Sequence, residues 1–177
     1  IDLSKYKNVT RWYKEMADRP AVQKGWLVPQ NDQLIPSPWF SNNLAIKISI
    51  AGLGWWGKVM IERLSCSNKL EIVNLIDPFP DQEALKLAKT NNLEIYKDFD
   101  TALNSKTIDA IILCTPNSFH MKQTLKASKL GIHVFCEKPL SLKSSEVKEM
   151  INACNQNGLV LGVGHERRFE KGWMKLK

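Results

Sequence analysis

Residues 46–57 read Ile46-Lys47-Ile48-Ser49-Ile50-Ala51-Gly52-Leu53-Gly54-Trp55-Trp56-Gly57. The first six make a short apolar run of the kind a buried strand shows, and the chain beyond the turn carries apolar residues at helical spacing. A strand that runs into glycines spaced G-x-G-x-x-G and then into a helix is the setting in which that spacing acquires meaning. Each glycine answers a different demand. Gly52 permits a tight turn, Gly54 lets the backbone approach a pyrophosphate, and Gly57 lets the helix pack closely on the sheet. The start of the helix, where Trp56 is a further candidate contact, adds unpaired N–H groups and a partial positive charge. The competing explanation is a glycine-rich turn that binds nothing, and the flanking strand and helix argue against it.

Downstream the same alternation continues. Strands are expected at 47–51, 72–76, 94–96, 110–114, 133–136 and 160–163, with helices at 56–66, 81–91, 100–104, 118–129 and 144–157. Alternating strands and helices are most economically folded as a parallel sheet covered on both faces, because right-handed crossovers put helices there. The expected fold class is therefore α/β, a doubly wound Rossmann sheet. Twenty residues after Gly57 the second strand ends at Asp77, where a carboxylate accepts hydrogen bonds from ribose hydroxyls. Asp77 would repel a 2′-phosphate, and Pro78-Phe79-Pro80-Asp81 offers no cation to welcome one, so NAD is favoured over NADP. The plainer alternative for Asp77 is a cap on the next helix, a job for which Asp81 is better placed.

Upstream, the pattern changes. Residues 1–29 have helical spacing, with Val9, Trp12, Tyr13 and Met16 on one face, Asn8 as N-cap and Pro20 opening a second short helix. A run rich in Pro, Ser and Asn then marks 30–45 as a linker, so 46–177 is expected to fold as a separate domain. Over the whole chain, 44% apolar and 24% charged residues suit a globular protein. Cys66, Cys114, Cys136 and Cys154 lack CxxC spacing, which favours reduced thiols over disulfides or a metal site and points to the cytoplasm. No stretch is apolar for long enough to span a bilayer. The net charge of +7 is spread over every expected helix without an aromatic-interleaved stripe, which argues against nucleic acid.

Three more segments carry a signature: Cys114-Thr115-Pro116-Asn117-Ser118-Phe119-His120 after the fourth strand, Glu137-Lys138-Pro139 after the fifth, and Gly162-Val163-Gly164-His165-Glu166-Arg167-Arg168-Phe169 at the sixth. Taken in order with the glycine turn, they resemble the glucose-fructose oxidoreductase and inositol dehydrogenase (Gfo/Idh/MocA) family over about 47–177. The resemblance implies a nicotinamide dinucleotide cofactor and a small sugar, cyclitol or related polyol as substrate. It places Thr115, Pro116 and Asn117 along the cofactor and Glu137, Lys138 and Pro139 beside the nicotinamide. Lys138 would then assist proton transfer at the substrate hydroxyl, since a proton must leave when hydride leaves a secondary alcohol. Glu137 reads as a ribose or positioning contact, and the Lys138–Pro139 peptide is expected to be cis. His120 is counted with the cofactor contacts, although an imidazole in the first turn of a helix also packs or hydrogen-bonds locally. His165, Arg167 and Arg168 stand equally for substrate contacts and for ties to another domain.

In that family a larger α+β domain follows, completing the substrate site and usually forming the oligomer interface. It is not present by Lys177, so turnover by this chain alone is not expected. Asn8-Val9-Thr10-Arg11-Trp12-Tyr13 and Arg19-Pro20-Ala21-Val22-Gln23-Lys24-Gly25 look like the last helices of a bacterial glutathione S-transferase, over 1–29 only. That start reads as a fragment joined to a second protein. The other readings are a non-catalytic nucleotide-binding or scaffold module, and a glutathione transferase-related fusion.

Overall fold

The computed structural model describes residues 45–165. The helices expected in 1–29, the linker and residues 166–177, with Arg167 and Arg168, lie outside that range. Six strands and five helices alternate in it: β1 Ile46–Ala51, α1 Trp55–Leu64, β2 Leu70–Ile76, α2 Gln82–Thr90, β3 Ile95–Tyr96, α3 Phe99–Ser105, β4 Ala110–Leu113, α4 Asn117–Lys129, β5 His133–Cys136, α5 Ser144–Gln156 and β6 Leu161–Val163. The strands form one sheet in the order β3-β2-β1-β4-β5-β6, every neighbouring pair parallel. This is the doubly wound order, and its direction of winding reverses between β1 and β4.

Each face of the sheet has its own core. On one, Ile48, Ile50, Leu75 and Ile112 pack with Ile61 of α1 and with Ala84 and Ala88 of α2. On the other, Ala51, Ile76, Ile111, Leu113 and Val134 pack with Ala102 and Leu103 of α3, Ala127 of α4 and Met150 of α5. Winding to the left of β1 puts α1 and α2 on the first face, and winding to its right puts α3, α4 and α5 on the second, as right-handed crossovers require.

The element boundaries lie within a residue or two of the sequence expectation. Asp81 caps α2 by accepting from the Ala84 N–H at 2.8 Å, and Asp98 caps α3 by accepting from the Thr101 N–H at 2.8 Å, so α3 begins at Phe99. β2 begins at Leu70, earlier than its apolar pattern suggests, because its first residues pair with Ile46 and Lys47. It also carries an irregularity: Ile48 pairs with Ile72 and Ser49 with Asn74, so Val73 is an extra residue opposite β1. Asn74 is fully buried yet satisfied, with Ser49 Oγ donating to its side-chain oxygen while its amide nitrogen donates to Ala102 O at 3.1 Å and Ser105 Oγ at 3.2 Å.

Candidate nucleotide-binding cleft

The cleft lies at the carboxyl ends of β1, β4 and β5, beside the point where the winding reverses, which is where open α/β sheets hold ligands. It encloses about 390 Å³ and is lined by Trp55, Trp56, Cys114, Thr115, Asn117, His120, Glu137, Lys138 and Pro139.

Its first wall is backbone. Gly52 has φ +87°, and a Cβ there would stand 2.6 Å from the carbonyl of Cys114 and the N of Thr115, so no other residue fits. A Cβ on Gly57 would overlap the carbonyl oxygen of Gly52, so the missing side chain brings α1 directly onto the turn. At Gly54 the reverse holds: nothing lies within 4 Å of the position a Cβ would take. Gly54 is also the N-cap of α1, without a side-chain cap, so the first N–H groups of α1 open onto free space. An open glycine, uncapped amides and a helix N-terminus fit a pyrophosphate.

Asp77 closes this wall from β2. Its carboxylate accepts from the Leu53 N–H at 2.7 Å and from the Phe79 N–H at 2.8 Å. The carboxylate therefore clasps the glycine turn, a role sequence reading misses, and each oxygen keeps a lone pair for a ribose hydroxyl. Asp81 rather than Asp77 caps the following helix. Lys58 of α1 pairs with Asp81 at 2.7 Å and with Glu83, which raises the lysine's pKa and holds the Asp81 carboxyl below its ordinary value.

The second wall is made of side chains. The Thr115 hydroxyl donates to Gln123 Oε1 at 2.6 Å, fixing the turn that leads into α4, and Pro116 and Asn117 follow at the helix start. Glu137, Lys138 and Pro139 extend from β5, and the Lys138–Pro139 peptide is cis. Lys138 is exposed at the rim, and among the described residues no ion pair engages it. Trp56 Nε1 donates to Glu137 Oε1 at 2.7 Å, joining the two walls.

His120 lines the cleft but is almost wholly buried. Its ring is 1% exposed, with Nε2 2.8 Å from Thr115 O and Nδ1 3.0 Å from Pro139 O. Both nitrogens face protein carbonyls, so the imidazole joins the Thr115 and Pro139 turns. Sequence reading also missed Cys114 and Trp55 as lining residues; that Cys114 directly precedes the Thr-Pro-Asn turn was the available signal. Burial, and then the Glu137 carboxylate, push the Cys114 and Cys136 thiols up to about 12, which makes them inert neighbours. His165 lies exposed just beyond β6. Among the described residues no cluster of His, Cys, Asp or Glu is arranged to hold a metal, and no helix is long and apolar enough to cross a membrane.

A doubly wound sheet with a glycine turn, an uncapped helix and a strand-end carboxylate at its switch point defines a dinucleotide-binding Rossmann domain. Residues 46–165 match the GFO_IDH_MocA family, an oxidoreductase family with an NAD-binding Rossmann fold, and the chain belongs to it. It is 30% identical over 132 residues to myo-inositol 2-dehydrogenase of Thermotoga maritima, covering 75% of this chain and 40% of that one. It is 29% identical over 124 residues to 2,7-anhydro-N-acetylneuraminate hydratase of Mediterraneibacter gnavus, covering 70% and 32%. Scyllo-inositol dehydrogenase from Lactobacillus casei, solved with bound NAD(H) and scyllo-inositol, superposes with a TM-score of 0.70 at 28% identity, covering 75% of this chain and 40% of that one. The chain thus spans 32% and 40% of the length of these two curated relatives. The family match begins at residue 46, so the glutathione S-transferase resemblance of 1–29 lies outside it.

Proposed function

We propose that residues 46–177 bind NAD(H) in preference to NADP(H) and that the whole protein oxidises or reduces a carbinol carbon of a sugar, cyclitol or related polyol. The observation that carries this reading is one cleft in which the open glycine turn meets Glu137, Lys138 and cis-Pro139. When bound, the nicotinamide supplies a hydride donor or acceptor. The chain's part is to bind the pyrophosphate on α1, to hold the ribose at Asp77, and to present Lys138 to the substrate hydroxyl, whose proton it takes or relays. Thr115, Pro116 and Asn117 line the cofactor's path between the walls. Asp77 supports NAD over NADP because its carboxylate would repel a 2′-phosphate, and Lys58 is already committed to Asp81 and Glu83. Residues 1–29 resemble the end of a glutathione S-transferase; retention of the chain on immobilised glutathione would favour the reading as a glutathione transferase-related fusion, and failure to bind would count against that reading.

The test is titration of the purified chain with NADH and NADPH, read by energy transfer from tryptophan to nicotinamide. NADH is expected to saturate, Gly54→Val to abolish binding by filling the open approach, and Asp77→Ala to narrow the preference over NADPH. A folded wild-type chain that binds neither nucleotide overturns the proposal and leaves a scaffold module in its place.

A further inference from the structure

We propose that Trp56 is a positioning residue for the nicotinamide end of the cleft: its indole N–H fixes the Glu137 carboxylate and thereby the turn that carries Lys138. The inference rests on the cofactor reading above and assigns within it a role that the glycine turn does not demand. The G-x-G-x-x-G spacing leaves position 56 open to any side chain. Here it holds an indole, a group that donates and never accepts. Its partner is a carboxylate 81 residues away in sequence, met at 2.7 Å, which is the geometry of a charge-assisted hydrogen bond.

The base from which Trp56 reaches is rigid, because the next residue, Gly57, seats α1 against the Gly52 carbonyl without an intervening side chain. The carboxylate is also bounded by Gly164, just past β6. A Cβ there would stand 2.8 Å from Glu137 Cδ and 3.0 Å from Oε2, so the absence of a side chain at 164 leaves the room the carboxylate fills. The Lys138 N–H lies 3.3 Å from Oε2. The Cys114 and Cys136 thiols beside it stay protonated and bring no second negative charge. Glu137 is therefore clamped between α1 and the end of β6, with one oxygen on the indole and the other beside the Lys138 backbone. These contacts brace the wall at the nicotinamide end of the cleft with the protein's own groups.

Calorimetric titration of the full chain with NADH and with ADP, which lacks the nicotinamide riboside, tests the assignment. Trp56→Phe keeps an aromatic ring and deletes the N–H. Gly164→Ala disturbs the same carboxylate from the end of β6. Both variants are expected to weaken NADH about fivefold while ADP affinity stays within about twofold. In a Glu137→Gln background, Trp56→Phe should add less than it does alone. A merely structural indole would shift both ligands together or neither, and either result overturns the inference while leaving the cofactor reading intact. A folded wild-type chain that binds ADP but not NADH removes the cofactor reading and this inference with it.

Discussion

The two walls of the cleft are built on different principles. The wall from β1 and α1 depends on side chains that are absent: Gly52 and Gly57 are required because a Cβ at either would enter a neighbouring backbone, and Gly54 leaves free space. The wall from β4 and β5 depends on side chains that are present and meet across the fold, His120 with the Pro139 carbonyl and Glu137 with Trp56. The first is set by backbone sterics, of Gly57 on Gly52 and of Gly52 on the Cys114–Thr115 peptide, and the second by hydrogen bonds between side chains and distant segments. Backbone sterics tolerate no substitution, whereas a hydrogen-bonded brace can be weakened by degrees.

That contrast can be broken at three points. Gly57→Ala should have the largest effect, about 3 kcal/mol or more of lost stability in urea unfolding, because the new methyl must displace backbone rather than a flexible side chain. A cost below about 1 kcal/mol would mean that the first wall yields, and the contrast with the second would disappear. His120→Ala comes next, at about 2–3 kcal/mol in the same assay, since it leaves a void and removes the N–H that the imidazole donates to one of the two carbonyls it faces.

The smallest effect is electrostatic. Lys58, and then the Ala84 N–H, hold the Asp81 carboxyl below its ordinary 3.8. Its folded-state pKa is thus depressed, so its contribution is present above the unfolded value and is lost as pH falls through the folded one. The melting-temperature gap between wild type and Asp81→Asn should narrow on going from about pH 6 to about pH 3. A gap that widened with acid would contradict the Lys58 pairing.

The sequence made the first wall readable for the same reason that it is rigid. Glycine spacing and a strand-end acid are local, so Gly52, Gly54, Gly57 and Asp77 stand out of the one-dimensional pattern, as does the alternation that builds the sheet. Asp81 was legible as a cap from its place ahead of an amphipathic helix. What stayed hidden is long-range. Nothing near Trp56 signals Glu137, and nothing in the Thr-Pro-Asn motif shows that both nitrogens of His120 face carbonyls. The start of β2 was missed because Glu71 interrupts its apolar pattern, although the backbone pairs there with Lys47.

The extra residue in β2 has a consequence of parity. Along a regular strand the residues alternate sides, so Ile72, Asn74 and Ile76 would share one side, with Val73, Leu75 and Asp77 on the other. Because Val73 is inserted, Val73 and Asn74 both turn toward α3, and the count restarts with Leu75 toward α1 and Ile76 away from it. The odd-numbered remainder puts Asp77 on the side of Leu53, whose N–H it reaches. Which side of the sheet the acid serves is thus decided by an odd or even number of residues laid down before it.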